Sequence, residues 1–72
     1  MNKKNKIKIK VNGKTVFLFK NSSLKNLTSK LKIPLNKVAI ELNTEIIDKK
    51  KLSKIIIKPA DKIEIVQFIG GG

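Results

Sequence analysis

The part of this sequence best suited to chemistry is its end, Gly70-Gly71-Gly72. Glycine has no β-carbon, so such a segment can extend through a narrow channel and present the α-carboxylate of Gly72 to another protein's active site. Three extended residues reach roughly 10 Å. A frayed tail without a function is the alternative. Because the only other glycine, Gly13, has a turn to form, the pattern favours a reactive carboxylate on a flexible tail, residues 69–72.

The side chains offer little for catalysis. The 72 residues include neither cysteine nor histidine, which excludes thiolate nucleophiles, the usual zinc clusters and the commonest general base at neutral pH. We therefore expect no catalytic residue, no metal site and no cofactor bound by this chain, and we expect that it is not an enzyme. The acidic residues form no paired motif; they are Glu41, Glu45, Asp48, Asp61 and Glu64.

The charge of the chain is strongly positive, with a formal net charge of +12. All 17 basic residues are lysine, whereas arginine is the residue that reads guanine and binds phosphate through two hydrogen bonds. Phe17, Phe19 and Phe68 are not interleaved with the lysine clusters as in a base-stacking platform. We therefore interpret the lysines as a solvated surface and predict no specific nucleic-acid partner.

No segment of the sequence indicates a membrane protein or an exported one. The longest apolar stretches, such as Ile55-Ile56-Ile57, are far shorter than the ~20 residues that span a bilayer. The basic residues 1–6 precede alternating isoleucine and lysine instead of the apolar block of a signal peptide. We therefore predict a soluble cytoplasmic protein without a membrane partner, and a disordered basic extension at residues 1–6.

The first element that must position the tail is a β-hairpin. Ile7, Ile9 and Val11 alternate with lysine, which is typical of a strand with one buried face. Asn12-Gly13 then favours a type I′ turn, because both residues tolerate a positive φ. This turn pairs Val11 with Lys14 and places Phe17 on the outer face, beside Lys8.

The rest of the chain predicts one helix and three more strands. Ser22-Ser23 is a helix cap, the leucine stripe Leu24, Leu27 and Leu31 belongs to the core, and Pro34 ends the helix by residue 33. Strands follow at residues 38–42, 45–47 and 63–68, with a polar connection at residues 48–51. We expect one α+β domain over residues 7–68, with a helix on one face of a sheet.

Five short motifs lie in a fixed order along the chain. They are Ile9-Lys10-Val11-Asn12-Gly13-Lys14, Ser23-Leu24, Val38-Ala39-Ile40-Glu41-Leu42-Asn43, Asp61-Lys62-Ile63-Glu64-Ile65-Val66 and Gly71-Gly72. In this order the chain resembles the ThiS family, the sulfur carrier proteins of thiamine biosynthesis, from about Ile7 to Gly72. The resemblance implies a ubiquitin-like β-grasp fold, with a mixed four- or five-stranded sheet covered on one face by one helix. The chain departs from the family at Ala60, where glycine usually precedes the aspartate, and in being basic where members are commonly acidic.

The resemblance also implies a function for the tail. An adenylating enzyme of the ubiquitin-activating type would use ATP and magnesium to form an acyl-adenylate on Gly72. A sulfur donor would then give a thiocarboxylate, and thiazole synthase would take the sulfur. Partner docking is expected on the outer sheet face, where the last strand lies parallel to the first and gathers Phe17, Val66 and Phe68, with Lys8 and Glu64 as a polar rim. Ile69 is expected to dock the partner as well.

Other functions remain open at this point, because fold and tail do not distinguish them. They are the small subunit of molybdopterin synthase, a β-grasp sulfur carrier for tRNA thiolation or amino-acid synthesis, a ubiquitin-like modifier, and a plain binding module. The short body after Ile7 and the Asn12-Gly13 hairpin favour the thiamine carrier.

Overall fold

The structure, a computed structural model, describes residues 5–68. Five strands, one α-helix and two 3₁₀ segments follow one another in this part of the chain. The strands are β1 (Lys6–Val11), β2 (Lys14–Phe19), β3 (Val38–Leu42), β4 (Glu45–Ile46) and β5 (Lys62–Gln67), and the helix is α1 (Leu24–Lys30). The 3₁₀ segments are Leu35–Lys37 and Lys49–Lys54.

The strands form one mixed sheet in the order β2-β1-β5-β3-β4. β5 pairs parallel with β1 and antiparallel with β3, so the last strand occupies the centre of the sheet. This arrangement confirms the predicted α+β class and the five-stranded version of the predicted sheet. The parallel placement of the last strand beside the first is confirmed as well.

The first hairpin has the predicted register. Val11 is opposite Lys14, and Phe17 is opposite Lys8. Asn12 and Gly13 have φ values of 50° and 82°, as a type I′ turn requires. One boundary was predicted wrongly: β1 begins at Lys6, because the backbone N–H of Lys20 donates to the Asn5 carbonyl and extends the pairing beyond Ile7.

Helix α1 begins at the predicted cap. The Ser23 hydroxyl accepts a hydrogen bond from the Asn26 N–H at 3.0 Å, and the Asn26 side chain accepts one from the Ser23 N–H at 2.8 Å. This reciprocal pair satisfies two of the N–H groups left free at a helix start. At the other end, Lys32 adopts a left-handed φ of 56°, and the helix is over before Pro34.

The core lies between α1 and the inner face of the sheet. Eleven buried apolar residues form it: Ile7, Ile9, Val11, Leu18, Leu24, Leu27, Val38, Ile40, Leu52, Ile57 and Ile63. The third leucine of the helix stripe is not among them. Leu31 is 36% exposed because it caps the helix C-terminus beyond the last buried turn, so its assignment to the core was wrong.

The lysine-rich connection after β4 is more ordered than predicted. It begins the 3₁₀ helix Lys49–Lys54, and the Asp48 carboxylate accepts a hydrogen bond from the Lys50 N–H at 2.9 Å as its cap. Leu52 is 1% exposed and anchors this segment in the core, against α1. Residues 48–51 are therefore a capped helical turn and not a simple solvated loop. Within residues 5–68, no helix is long and apolar enough to cross a membrane.

Candidate functional site at the end of β5

The residues that precede the tail belong to β5, the central strand, which has a paired strand on each side. β5 is bonded to β1 on one side and to β3 on the other, and its register with β3 runs from Ile63, opposite Leu42, to Gln67, opposite Val38. The strand therefore delivers the chain to Phe68 from a fixed direction. The sequence identified this strand, and the resemblance placed it parallel to the first strand, but its central place in the sheet was not predicted.

Two asparagine side chains hold β5 beyond the strand pairing. Asn12 accepts a hydrogen bond from the Ile65 N–H at 2.7 Å and donates to the Ile65 carbonyl at 3.2 Å. Asn43 accepts from the Lys62 N–H at 2.9 Å and donates to the Asp61 carboxylate at 3.0 Å. Because β1 ends at Val11, the Asn12 amide takes the place of the next strand residue.

Phe68, the last residue before the tail, is held at its backbone and at its ring. Its N–H donates to the Lys37 carbonyl at 3.0 Å, which continues the β3–β5 ladder by one residue. The Lys49 ammonium lies 5.1 Å from the centre of the Phe68 ring and also donates to the Leu35 carbonyl. The ring stays 53% exposed, so its other surface is open to a partner.

The tail that the sequence predicts to be reactive lies outside the described residues. This applies to Ile69, Gly70, Gly71 and Gly72, so their predicted roles stay predictions. Counted from Phe68, four extended residues span about 13 Å.

The structure brings together only part of the predicted docking surface. Val66 and Phe68, 48% and 53% exposed, both lie at the β5 end, and Val66 is opposite Ala39 of β3. Phe17 is 55% exposed on the same sheet face, but it is level with Lys8, at the other end of β1.

The strand registers give the size of this separation. Lys10 of β1 is opposite Lys62 of β5. Phe17 is opposite Lys8, which lies two residues before Lys10 on β1. Val66 lies four residues beyond Lys62 on β5, in the same direction along the sheet. Six residue steps correspond to about 20 Å along the strands. The expectation that β5 gathers Phe17 with Val66 and Phe68 was therefore wrong, because β5 extends past the hairpin turn. Whether any of these residues docks a partner stays a prediction.

An open groove of about 750 Å³ lies beside the end of β5. It opens where β1 has turned back at Asn12 and no longer covers the neighbouring strand. Leu31, exposed at the helix end, forms part of its wall. Most of the lining is apolar: Val11, Val16, Leu31, Ile33, Pro34, Val38, Ile65 and Val66.

Buried polar groups of the described chain have structural partners. Ser23 caps the helix, and the Thr28 hydroxyl donates to the Lys25 carbonyl at 3.0 Å. Among residues 5–68, no three His, Cys, Asp or Glu side chains lie close enough to hold a metal ion.

Comparison with known proteins identifies the relatives of this chain. A model of the ThiS family matches residues 9–72. A thiazole synthase from Paramagnetospirillum magneticum is 35% identical over 66 residues, which are 92% of this chain and 20% of that protein. The chain thus spans about a fifth of that relative. The uncharacterized protein ycf40 of Porphyra purpurea is 32% identical over 92% of this chain and 93% of its own length.

Solved structures give the same result. The crystal structure of the thiamine biosynthesis protein ThiS from Geobacter metallireducens matches with a TM-score of 0.81 and 29% identity, over 92% of this chain and all of that one. An NMR structure of a thiamine biosynthesis protein from that organism matches with a TM-score of 0.72 and 30% identity, over 92% and 88%. Fold, matched residues and relatives agree, and the chain belongs to the ThiS family, with the ubiquitin-like β-grasp fold of its structural neighbours.

Proposed function

We propose that this protein carries sulfur as a thiocarboxylate on Gly72 and donates it for the synthesis of the thiamine thiazole. The observation that carries the proposal is the join between β5 and the tail. A strand paired on both sides, and held by Asn12 and Asn43, ends at Gln67, and Phe68 then leads directly into Ile69-Gly70-Gly71-Gly72. Because the strand fixes where the tail begins, a partner can bind the folded domain while the glycines enter the partner's active site.

The chemistry begins with activation of the terminus. A carboxylate is a poor electrophile, so an adenylating partner first joins a Gly72 carboxylate oxygen to the α-phosphorus of ATP and releases pyrophosphate. Hydrosulfide supplied by the donor then attacks the acyl carbon and displaces AMP, and loss of the S–H proton leaves the thiocarboxylate. ATP and magnesium belong to the partner. In a chain without cysteine, the terminus is the position that can hold sulfur.

Thiazole synthase is the proposed acceptor. The Paramagnetospirillum thiazole synthase contains a region 35% identical to this chain as about a fifth of its own length. A carrier domain within the same polypeptide as the enzyme that uses its sulfur raises the effective concentration of the thiocarboxylate at that enzyme. We infer that this chain presents its thiocarboxylate to a corresponding enzyme by docking.

The docking surface that we propose for the activating enzyme is the end of β5. Val66 and Phe68 supply exposed apolar area beside the groove, and Ile69 continues it toward the tail. A partner that also contacted Phe17 would have to cover a further 20 Å or so of the sheet. Replacing Phe68 with alanine should weaken the complex by about 1–3 kcal/mol if the ring is an anchor. Unchanged affinity in isothermal titration, with an intact fold, would remove Phe68 from the interface.

Intact-mass spectrometry tests the carrier function. The chain is incubated with its cognate adenylating enzyme, ATP, magnesium and a sulfur donor, and the expected product has one oxygen replaced by sulfur. Deletion of Gly72, or one glycine added after it, should abolish the product. One glycine added before Met1 is the matched control and should leave it unchanged. If the truncated chain gains sulfur as readily as the full chain, Gly72 is not the reactive site.

A second variant tests the passage of the tail into the partner. Valine at position 71 adds a β-branched side chain, which restricts the backbone and widens the tail. We expect Gly71→Val to slow product formation at least tenfold while the circular dichroism spectrum stays unchanged, since the core lies between α1 and the sheet. Equal rates for Gly71→Val and the wild type would contradict a narrow channel in the partner.

A further inference from the structure

The sheet face far from the tail carries lysines and phenylalanines in alternation across two strands. We call this surface the basic aromatic strip. On β1 and β2, Lys8 is directly opposite Phe17, and Lys6 is directly opposite Phe19. Lys10 and Lys62 extend the strip across β1 to β5, where they are level with each other. Directly opposite residues point to the same side of a sheet, so these side chains share the outer face.

This arrangement contradicts an expectation from the sequence. The phenylalanines and lysines are not interleaved along the chain, so no stacking platform was predicted. The hairpin interleaves them across strands, because its two-residue turn brings Phe17 and Phe19 beside the lysines of β1. The expectation that phenylalanines and lysines are not interleaved is therefore wrong for this face of the sheet, whereas the interpretation of the lysines as a solvated surface stays a prediction.

The two rings are exposed on a rigid support. Phe17 is 55% and Phe19 is 61% exposed, although β2 also buries Leu18 to 4% on its other face. Residues two apart on a strand lie about 6.6 Å from each other. The rings therefore stand in a row at fixed spacing, and neither is needed to fill the core.

The charged residues on the outer face of β1 and β2 are all lysines. The Lys6 ammonium lies 5.3 Å from the centre of the Phe19 ring, and the Lys10 ammonium donates to the Thr15 hydroxyl at 2.9 Å. Of the described acidic residues, the two on the central strands, Glu41 and Glu64, are opposite each other and lie beyond the level of Lys62. The strip is thus a cationic surface that contains two aromatic planes.

We propose that the basic aromatic strip binds single-stranded nucleic acid without sequence preference. Unpaired bases would stack on Phe17 and Phe19, and the lysines of β1 and β5 would contact the phosphates. Every base has a flat face, so stacking tolerates any sequence, and lysine without arginine adds charge without reading base edges. A duplex offers its phosphates but keeps its base faces covered, so it should use the lysines alone.

Charge and spacing favour this ligand over an acidic protein surface. An acidic protein would pair with the lysines, but its surface does not in general repeat a flat aromatic face at the spacing of the two rings. Single-stranded nucleic acid supplies both a repeated anion and a repeated aromatic face. The proposal goes beyond sulfur transfer and does not depend on the reaction at Gly72.

The experiment measures fluorescence anisotropy with three probes at low salt. The probes are a labelled 12-nucleotide oligo-dT, a duplex of equal length and labelled poly-L-glutamate. The aromatic variant is Phe17→Ala with Phe19→Ala, and its matched control is Phe68→Ala, an equally exposed phenylalanine at the other end of the sheet. The charge variant replaces Lys6, Lys8 and Lys10 with glutamine, and its control replaces Lys50, Lys51 and Lys54.

We expect the aromatic variant to bind oligo-dT about tenfold more weakly, or worse, as stacking losses of this kind do. Phe68→Ala should bind like the wild type, and the β1 lysines should matter more than the control lysines. The duplex and poly-L-glutamate should bind more weakly than oligo-dT and should not respond to the loss of the rings. In the wild type, NMR ring resonances of Phe17 and Phe19 should shift on titration with oligo-dT, whereas those of Phe68 should not.

Several results would overturn the proposal. If the charge variant and its lysine control lose the same amount of affinity for oligo-dT, the binding comes from diffuse charge and not from a site. Binding of poly-L-glutamate as tight as that of oligo-dT would indicate a surface for acidic proteins. Unshifted Phe17 and Phe19 resonances in the saturated wild type would exclude stacking, and this measurement needs no variant that could fail to fold.

Discussion

The two hairpin turns of the sheet have nearly the same φ values at their two central residues, but they carry different residues at the second of these positions. Asn12-Gly13 has φ values of 50° and 82°, and Asn43-Thr44 has values of 50° and 75°. Glycine adopts this conformation freely, whereas a β-branched threonine there is a genuine outlier. The second turn therefore forms because the pairing of β3 with β4 and β5 requires it, and local preference does not explain it.

Both turns also support β5, although neither dipeptide sequence indicates this role. Each begins with an asparagine whose side chain bonds to β5, at Ile65 in one turn and at Lys62 in the other. The two sites differ in what else supports them. The amide of Asn12 is the only β1-side partner described for the Ile65 backbone, whereas the Lys62 carbonyl also accepts the Asn43 backbone N–H at 2.8 Å.

The largest effect is expected from removing the Asn12 side chain. Asn12→Gly keeps a residue that accepts the left-handed turn, so the change isolates the two bonds to Ile65. Their loss should lower the free energy of unfolding by about 2 kcal/mol. Asn43→Gly, the matched change in the other turn, should lower it by less. Urea denaturation of both variants measures the difference, and an equal loss would show that the two turns support β5 equally.

The loss of the Asn12 side chain should also destabilise the end of β5 locally. Hydrogen exchange at the Ile65 amide should accelerate in Asn12→Gly more than exchange at the Ile40 amide of the neighbouring strand. Uniform acceleration would mean that the side chain supports the whole fold and not the end of β5 in particular.

A smaller effect is expected from giving the first turn the kind of residue found in the second. Gly13→Val places a β-branched residue at a φ of 82°, and an added β-carbon there would meet no atom within 4 Å. The loss is therefore conformational and should be about 1–2 kcal/mol. Thermal unfolding measures it, with Gly13→Asn as the control because asparagine tolerates this conformation. A loss as large in Gly13→Asn as in Gly13→Val would contradict the backbone explanation.

The converse change should stabilise the protein. Thr44→Gly relieves the strain at a φ of 75°, although glycine gains entropy in the unfolded chain. The balance should raise the free energy of unfolding by about 1 kcal/mol. Thr44→Ala, which removes the branch but keeps a β-carbon, separates branching from left-handed strain. A less stable Thr44→Gly would mean that the Thr44 hydroxyl, which bonds to the Asn43 carbonyl, matters more than the backbone.

The sequence predicted those parts of the fold whose causes are local. Asn12-Gly13 fixes the turn, and the alternation before it fixes the faces, so the register of β1 with β2 was correct. The Ser23 cap was correct for the same reason, since its bonds span three residues. The second turn gave a weaker indication because threonine does not favour the conformation that the sheet imposes.

The remaining features depend on contacts between distant residues. Asn12 and Ile65 are 53 positions apart, so no pattern in the sequence joins them. The 3₁₀ helix after Asp48 was missed because lysines surround the single leucine, Leu52, that anchors it. The basic aromatic strip was missed because its alternation runs across strands and not along them.

The smallest expected effect extends the comparison to a third turn, Lys58-Pro59-Ala60-Asp61. Ala60 has a φ of 69°, proline precedes it, and the Asp61 N–H donates to the Lys58 carbonyl at 3.1 Å, as in a type II turn. Such a turn favours glycine at this position, which is where the ThiS resemblance leads one to expect it. The Ala60 N–H also donates to the Lys8 carbonyl at 2.9 Å, and this bond survives the change to glycine.

Because alanine is less restricted than threonine, Ala60→Gly should raise the free energy of unfolding by about 0.5–1 kcal/mol, less than Thr44→Gly. Urea denaturation of the single variants and of the double variant tests the order and the additivity expected of separate sites. A destabilised Ala60→Gly would show that the chain has adapted this turn to alanine, and that a positive φ alone does not predict where glycine is preferred.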